Sequence, residues 1–513
     1  MKIISWGLIL AVIGFGLASA CQAQKTLEVK TRAPVVAGKF YPDSPWRLKM
    51  AVEKFLQDAV PAKLKNPVAI IVPHAGYIFS GQICADGFKQ VSHQQYDLVV
   101  ILGTNHTGPG FQKVSLYPGE GFRTPLGTAV IDREVVSALK EADPSDCLLD
   151  KSLHEQEHSI EVIVPFIQVL FPQARIVPAV VGSPSIPLCA RFGQALAQVL
   201  KNKRALIVAS SDLSHYPEAK EASAVDRKTL ETITKMDPVL LQTAIQTQMK
   251  RPPANLETCA CGEAPILAAM AAARGLGATH GQIVSYANSG DSTIRPDRSR
   301  VVGYGAVVFA KGEDEMIKDG RPGPSTGVPA NGLGTADKKA LLRFARETIS
   351  RLLLTETVPL ARGFPPHLQK PQGVFVTLKK KGELRGCIGQ IIGDEPLSKL
   401  VGVMALQSAL NDRRFSPVTA DELTDIEIEI SVLTPLKPVS APGDILIGRD
   451  GVLLAKDGHS AVFLPQVAQE QGWNRDEMLA QLCLKAGLNR ACWKQQPQLS
   501  TFQAIVFSES EFK

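Results

Sequence analysis

One histidine pair in the first half of the chain has the spacing of a metal-binding helix. His154, Glu155 and His158 fit the pattern H-E-x-x-H. Two histidines four residues apart lie on one helix face and can share a zinc ion, with the glutamate placed to activate water. Such a site needs a third protein ligand, yet no Asp or Glu occurs between Glu161 and Asp212. We therefore disfavour a zinc-protease helix.

Two other interpretations of this stretch stay open. It could be a simple helix start, with Ser152 as the N-cap and Glu155 completing a capping box. Alternatively, His158 points towards a metal or catalytic centre built by other parts of the chain, and the role of His154 is open.

Three further histidines each follow the end of an apolar, strand-like run; they are His74, His106 and His215. In open α/β sheets, the carboxyl ends of parallel strands share one edge, and ligands bind there. A lone histidine at a strand end is more often a structural hydrogen-bonding group. Three in equivalent positions indicate a shared site, because neutral imidazole is the commonest metal ligand. We predict a metal or catalytic centre at this edge.

The segments that must position these histidines alternate between strand and helix patterns. Five short apolar, β-branched runs predict buried strands at 67–71, 97–102, 174–181, 205–210 and 301–310. Amphipathic stretches such as 189–201 and 264–274 predict helices between them. Continuously apolar strands separated by helices are typical of a sheet covered on both faces. The first part is therefore predicted to be α/β, with a mainly parallel sheet flanked by helices.

Composition divides the 513 residues into four segments. Residues 1–21 contain a lysine, a long apolar run and small residues, which predicts a signal peptide. Residues 28–312 hold the α/β pattern. Residues 313–336 are rich in Gly and Pro and are predicted to be a linker, and residues 337–513 form a second domain.

The N-terminal segment also predicts where the protein works. Residues 18–21 resemble a lipobox, so we expect an exported lipoprotein anchored to a membrane through Cys21. The simpler alternative is cleavage near Ala20 or Ala23, which gives a soluble periplasmic or other extracytoplasmic protein. The net charge of +6 is thinly spread, so no nucleic-acid partner is expected. The spacing of the nine cysteines assigns no disulfide.

The second domain mixes helix and strand patterns and is predicted to be α+β. Residues 337–354 and 474–487 are amphipathic, and residues 426–435 alternate like a strand. Residues 374–390 read VFVTLKKKGELRGCIGQ, which predicts a hairpin with a tight turn at 381–383 and a Gly-rich bend at its end.

Cys387 is the residue of this domain whose chemistry is most open. Arg385 favours a thiolate, so Cys387 could act as a nucleophile. Alternatively, Gly386 and Gly389 permit a sharp bend into which the cysteine simply fits. Arg385 and the charged residues 412–414 could bind an anion, although exposed charged loops usually bind nothing specific.

The motifs of the first part resemble those of the Memo protein family across nearly all of residues 30–312. The matching stretches are APVVAGKFYP at 33–42, VPHAGYIFSG at 72–81, LGTNHTG at 102–108, EHSIEVIVPFIQ at 157–168, SSDLSHY at 210–216, CGEAPI at 261–266 and SGD at 289–291. The resemblance implies an α/β fold akin to class III extradiol ring-cleaving dioxygenases. The metal ligands that it implies are His74, His106 and Cys261. Further polar positions around the family's pocket are matched by Asp212, His158 and His215.

Two imidazoles and a thiolate form a borderline-soft site, which suits iron or copper, with zinc as a further option. Three protein ligands leave a position open for water, substrate or oxygen. Cys261 also has a simpler interpretation, as a buried small hydrophobe or a disulfide partner. Extradiol enzymes typically have a carboxylate where this site has Cys261, and Memo proteins are generally cytoplasmic. Neither ring cleavage nor an intracellular partner therefore follows directly from the resemblance.

The second part resembles the AMMECR domain over about residues 337–508. The motifs that carry the resemblance are LRGCIG at 384–389, R-F-x-P at 414–417 and EISVLTP at 429–435. The joining of both domains resembles the AmmeMemoRadiSam group, in which they accompany a radical-SAM protein. We therefore expect a functional association with such a protein. The chain itself lacks the C-x-x-x-C-x-x-C run of that partner.

These observations predict a metal-binding, redox-active protein that acts on a small molecule or a protein. If it is an enzyme, it is a metal-dependent oxidoreductase of dioxygenase-like type, with His158 or His215 as the acid–base group and Asp212 beside them. The alternative is a non-catalytic metal carrier, or a module that binds a peptide or another partner. A hydrolase that uses bound water is a third reading. The sequence does not decide whether the chain is an enzyme.

Overall fold

The computed structural model describes residues 31–294, 296–312 and 332–512. The predicted signal peptide at residues 1–21, including Cys21, lies outside the described residues, as does most of the predicted linker. Within the described ranges, no helix combines the length and the apolar character needed to cross a bilayer.

The first domain alternates strands and helices, as its apolar runs predict. Its strands are β1 (Thr31–Arg32), β2 (Pro67–Val72), β3 (Leu98–Thr104), β4 (Val114–Leu116), β5 (Gly121–Thr124), β6 (Gly127–Val130), β7 (Cys147–Leu149), β8 (Arg175–Val181), β9 (Ala205–Ser210), β10 (His280–Asn288) and β11 (Gly303–Ala310). Its helices are α1 (Pro45–Gln57), α2 (Tyr77–Lys89), α3 (Arg133–Ala142), α4 (Ser152–Glu155), α5 (His158–Glu161), α6 (Val164–Leu170), α7 (Ile186–Leu200), α8 (Ala219–Thr234), α9 (Pro238–Lys250) and α10 (Glu263–Gly275).

Eight strands form the central sheet in the order β10-β11-β2-β9-β3-β8-β4-β7. The inner strands β2, β9, β3 and β8 are mutually parallel and almost fully buried, because helices cover both faces. The prediction of a mainly parallel sheet is correct for these strands and wrong for β11, which runs antiparallel to β2 and β10. Among the described residues between β10 and β11 there is no crossover helix, and a parallel connection needs one.

The second domain is α+β. Its elements are α11 (Thr335–Thr355), β12 (Val374–Lys380), β13 (Glu383–Gln390), α12 (Leu397–Leu410), β14 (Ile426–Leu433), β15 (Lys437–Pro438), β16 (Gly451–Lys456), β17 (His459–Phe463), α13 (Pro465–Glu470), α14 (Arg475–Lys485), β18 (Gln498–Phe502) and β19 (Ala504–Ser508). One antiparallel sheet has the order β13-β12-β14-β19, and α11 and α12 pack against it. A second sheet, β15-β18-β16-β17, was not expected from the sequence.

The hairpin of β12 and β13 has the predicted turn, but the predicted Gly-rich bend is wrong. Lys381 and Gly382 adopt φ values of 53° and 85°, as a two-residue hairpin turn requires. Gly386 and Gly389 lie inside β13, whose pairing with β12 has one register shift, beside Gly386, but which continues as a strand to Gln390. A Cβ atom at Gly386 would stand 2.2 Å from the Ser408 carbonyl oxygen, so this glycine serves close packing rather than a bend.

Two of the cysteines form a disulfide that the sequence could not assign, Cys483–Cys492. Both are in the second domain. The six other cysteines within the described ranges are free.

The two domains contact each other through paired charges. Arg362 of the second domain donates to both carboxylate oxygens of Asp86, at 2.6 and 3.0 Å. Arg351 of α11 pairs with Asp58, which follows α1. These contacts tie the helices of the second domain to the outer face of the first.

Candidate metal centre

Three loops of the first domain meet at the carboxyl edge of its parallel strands. The loops that follow β2, β3 and β9 carry His74, His106 and Asp212 with His215, respectively. The imidazole centroids of His74 and His106 are 5.2 Å apart. Cys261, immediately before α10, brings its sulfur to 3.3 Å from Nε2 of His74. The neighbouring parallel strands therefore bring together residues nearly 190 positions apart.

The H-E-x-x-H stretch is not a single helix. The chain leaves helical geometry after α4 and starts again at α5, so His154 and His158 belong to separate short helices. His154 is fully buried, and its Nε2 lies 3.1 Å from the hydroxyl of Ser115. The imidazole of His158 instead stacks at 4.6 Å from that of His106. This separation excludes the zinc-protease helix.

The predicted capping box at this stretch is also wrong. Ser152 is the first residue of α4 rather than its N-cap, which is Lys151. The hydroxyl of Ser152 donates to the carboxylate of Asp150 at 2.6 Å.

His74 is held in one tautomer. The hydroxyl of Ser210 donates to the carbonyl of Ser159 at 2.6 Å, so it must accept from Nδ1–H of His74 at 2.8 Å. Nε2 of His74 is then left without a proton and faces Cys261. Burial, aided by nearby His106, lowers the pKa of His74 to about 3, so the imidazole is neutral at physiological pH.

Glu157 holds His106 in the same way. One carboxylate oxygen of Glu157 accepts from Nδ1–H of His106 at 2.9 Å, and the other accepts from the backbone N–H of His106 at 2.7 Å. Burial alone would lower the pKa of His106, but the hydrogen bond and charge of Glu157 outweigh it and raise that pKa. Burial also opposes ionisation of Glu157, yet the His106 hydrogen bond lowers the pKa of this carboxyl to about 2. A histidine whose Nδ1–H is held by a carboxylate offers Nε2 to a metal.

Cys261 is fixed by its backbone. Its N–H donates to the carbonyl of Asp212 at 3.3 Å, and its carbonyl accepts from the hydroxyl of Thr104 at 2.8 Å. A Cβ atom on the next residue, Gly262, would lie 2.5 Å from the carbonyl oxygen of Ser210, so only glycine allows this close approach. Burial raises the pKa of the Cys261 thiol. A bound cation favours the thiolate and would reverse that effect.

Asp212 and His215, in the loop after β9, lie beside His74 at the same edge of the sheet. The Asp212 carboxylate accepts from the backbone N–H of His74 at 2.9 Å, and burial raises its pKa. Nε2 of His215 is buried and has no hydrogen-bond partner, and burial lowers the pKa of this imidazole. Tyr216, which follows, has φ +72°, a strained conformation for a non-glycine residue.

Two sets of donor atoms could each hold a metal, and both include His74. In each set the ligand atoms lie within 4.8 Å of one another. The sets are His74, His106 and His158, and His74, Asp212 and Cys261. The predicted ligands His74, His106 and Cys261 do not form one of these sets among the described residues. His106 belongs to the first set, Cys261 belongs to the second, and His74 belongs to both. Neutral imidazoles, a carboxylate and a thiol are donors that suit a borderline-soft transition metal.

Sequence reasoning did not identify two residues that orient the ligands, Glu157 and Ser210. Glu157 directly precedes His158, and an acid beside a histidine-rich stretch was a usable signal. Ser210 begins the family motif SSDLSHY, but its role could not be assigned because that role depends on which strand lies beside it. Phe40, also not identified, packs edge-on against His158 with ring centroids 5.0 Å apart.

Cys387, Arg385 and Asp412 of the second domain each have hydrogen-bond or ion-pair partners within that domain. The hydroxyl of Thr377 donates to the sulfur of Cys387 at 3.3 Å, and the Asp412 carboxylate accepts from the Cys387 backbone N–H at 2.8 Å. Arg385 pairs with Glu422 at 2.9 Å. The interpretation that Cys387 simply fits inside a sharp bend is wrong, because Cys387 lies within strand β13.

Comparison with known proteins covers both domains. Residues 32–308 match the family model described as Memo-like protein, and residues 342–507 match the one described as AMMECR1. A MEMO1 family protein of Nitrosopumilus maritimus is 34% identical over 285 residues, which are 54% of this chain and 99% of that protein. A MEMO1 family protein of Aquifex aeolicus is 36% identical over 286 residues, which are 55% of this chain and 100% of that protein. Among solved structures, an uncharacterized protein of Pyrococcus horikoshii is 37% identical with a TM-score of 0.32, and the match covers 34% of this chain and 91% of that one.

Proposed function

Since the chain belongs to the Memo-like protein family and carries an AMMECR1 domain, we propose that it binds one iron or copper ion through His74, His106 and Cys261. Zinc is a further option for the same donors. The proposal includes a likeness of the first domain to class III extradiol dioxygenases, for which the pocket at the carboxyl edge of parallel strands is the supporting feature.

One observation carries this proposal. Ser210 and Glu157 each accept from the Nδ1–H of one histidine, so the neutral form of each ring has its free lone pair on Nε2 at the same pocket. The sulfur of Cys261 lies 3.3 Å from Nε2 of His74, so the thiol and this nitrogen face each other in the pocket. A cation in their place would be bound by the sulfur and by both nitrogens.

A redox-active metal would supply electron transfer or activation of oxygen when bound. The residues of the chain supply the proton chemistry. His158 lies against His106 and its side chain is 24% exposed, so it can exchange protons with both the pocket and solvent. Burial lowers the pKa of His158 to about 4, so it would act as a base near neutral pH. Asp212 and His215 line the enclosed side. The substrate would be a small molecule or a protein side chain that reaches the exposed side.

A metal carrier is the second candidate, and the exposure of His106 favours it. The side chain of His106 is 30% exposed, so a metal there is accessible to a partner protein. Oxygen consumption or peroxide formation by the loaded full-length protein supports the enzyme. Metal transfer to an acceptor chelator without turnover supports the carrier.

The metal site is tested by measuring metal content after expression and purification of the full chain. His74→Ala and His106→Ala should each lose most of the bound metal, because each removes one nitrogen donor. His93→Ala is the matched control, since His93 is exposed in the turn that follows α2. Retention of the wild-type metal content by both pocket variants would overturn the ligand assignment.

We also propose that the protein is exported, anchored to a membrane through Cys21, and associated with a radical-SAM protein. The first 24 residues and the pairing of the two domains motivate these proposals. Cys21→Ala should move the protein from the membrane fraction to the soluble extracytoplasmic fraction. Co-purification from the native host tests the association, and a cytoplasmic location of the wild type would contradict export.

A further inference from the structure

Helix α12 of the second domain sends a lysine into the first domain. Lys399 is 5% exposed, and its Nζ donates to the carbonyl of Gly290 at 2.6 Å. Glu395, one turn earlier, pairs with Lys399 at 3.0 Å and also accepts from Arg298 of the first domain at 2.7 Å. Next to these charges, a Cβ atom on Gly402 would lie 2.9 Å from the side chain of Thr293. The charges are therefore enclosed by close packing between the domains.

Burying a lysine is unfavourable, and an apolar residue of similar size usually stabilises an interface as well or better. A buried charge that makes one directed hydrogen bond to a turn instead fixes the position of that turn. Gly290 is the middle residue of the turn Ser289–Asp291, which is closed by the side chains of Asn288 and Asp291.

That turn is hydrogen-bonded to Val302, the residue before β11, and Val302 pairs with His215. The backbone N–H of Ser289 donates to the carbonyl of Val302 at 2.9 Å, and the N–H of Val302 donates to the hydroxyl of Ser289 at 3.1 Å. Val302 in turn forms a β-bridge with His215. The N–H of Tyr216 donates to the carbonyl of Val301 at 2.7 Å.

We propose that Lys399 is a positioning residue through which the second domain fixes the His215 side of the metal pocket. The expected effect of Lys399 on metal binding rests on the proposed function. Its structural consequence, the placement of His215, does not depend on any metal. Because His215 ends a buried loop that is already strained at Tyr216, it needs support from outside the loop.

The test compares Lys399→Met, which keeps the chain length but removes the donor, with Lys399→Arg, which keeps a charged donor. Glu356→Gln is the matched control, because Glu356 forms an exposed ion pair with Arg47 across the same two domains. Two readouts need no metal. They are the hydrogen exchange of the Tyr216 and Val302 amides and the imidazole NMR signal of His215. A third readout is affinity for cobalt(II) alone.

Lys399→Met should speed exchange of both amides by about tenfold, shift the His215 signal and weaken cobalt(II) binding roughly tenfold, as loss of an outer support typically does. Lys399→Arg should restore most of each effect, and Glu356→Gln should show none. Unchanged amides and an unchanged His215 signal in folded Lys399→Met would overturn the proposal.

The outcomes separate this proposal from the metal site. If the wild type binds no cobalt(II), the proposed ligand function is in error, and the exchange and NMR readouts still decide the role of Lys399. If Lys399→Met does not fold, Glu395→Gln takes its place, since it removes the charge that holds Lys399. Slower or unchanged exchange in that variant would count against the proposal.

Discussion

Cys261 and Cys387 each adjoin a glycine and lie beside an aspartate, yet the two domains surround them differently. Nε2 of His74 carries no proton and lies 3.3 Å from the sulfur of Cys261, and Nε2 of His215, in the loop after β9, is buried without a hydrogen-bond partner. Around Cys387, the neighbouring donors and acceptors are paired within the domain. Buried polar groups in folded proteins are nearly always satisfied, so the unpartnered Nε2 of His215 and the two sets of possible metal ligands distinguish the first domain from the surroundings of Cys387. If the proposed metal site exists, changes in the first domain should affect metal binding, and equivalent changes beside Cys387 should not.

The largest expected difference in metal affinity is between variants of the two cysteines. Cys261→Ser should weaken metal binding at least roughly 100-fold, about 2.8 kcal/mol, because a hydroxyl is a poor substitute for a thiolate ligand. Cys387→Ser should leave the affinity unchanged. Competition with a chelator of known affinity measures both. Cys259→Ser, a buried cysteine two residues from Cys261, is the control for local disturbance. Equal affinities in the Cys261 and Cys387 variants would break the comparison.

Low pH should reduce the folding stability of the first domain, because its buried histidines resist protonation. Burial lowers the pKa of His154 to about 4, whereas an unfolded histidine titrates near 6.5. Between these values the unfolded state binds the proton and the folded state does not, so stability is lost as pH falls from 6.5 towards 4. His154→Gln removes the contribution of this residue, while the other buried histidines keep theirs.

Between pH 7 and pH 5, the wild type should therefore lose about 2 kcal/mol more of its unfolding free energy than His154→Gln does. Denaturant unfolding of the full chain at both pH values measures the difference. His93→Gln, which changes an exposed histidine, should behave as the wild type. The same pH dependence in His154→Gln and wild type would show that burial of His154 does not control it.

A smaller effect on metal affinity should distinguish Glu157 from Asp412. Glu157 accepts from the backbone N–H of His106, and Asp412 accepts from that of Cys387. Glu157→Gln keeps an acceptor for Nδ1–H of His106 but removes its charge, so metal affinity should fall roughly tenfold, about 1.4 kcal/mol. Asp412→Asn makes the equivalent change beside Cys387 and should leave the affinity unaltered. Calorimetric titration with one metal salt compares them. An effect of Asp412→Asn as large as that of Glu157→Gln would place the second domain in the site.

The parts of the pocket that follow from strand order were predictable from sequence. His74, His106 and His215 follow apolar runs, and parallel strands bring their carboxyl ends together whatever the details of packing. The family motifs then pointed to Cys261, which no strand pattern indicates. Apolar periodicity likewise predicted the main helices and strands of both domains, since it records which face is buried.

Features that depend on local backbone angles were not predictable. The H-E-x-x-H stretch breaks because Glu157 adopts an extended conformation as the N-cap of α5, and this turns His154 away from the pocket. The direction of β11 depends on the absence of a crossover helix, which apolarity alone does not report. The glycines of β13 suggested a bend, but Gly386 leaves room for the backbone of α12 and Gly389 leaves room for Phe375 of β12.

The smallest expected effect tests whether Cys387 is supported or active. Thr377→Val keeps a β-branched residue in β12 and removes only the hydroxyl that donates to the Cys387 sulfur at 3.3 Å. A neutral hydrogen bond to sulfur is weak, so the unfolding free energy should change by less than about 0.5 kcal/mol, with no change in metal affinity. Denaturant unfolding and metal titration check this. If the hydroxyl instead tuned a reactive thiol, the rate of Cys387 alkylation would change severalfold in the variant while stability stayed constant. A change of that kind would give the second domain a chemistry of its own, and the contrast between the surroundings of Cys261 and those of Cys387 would fail.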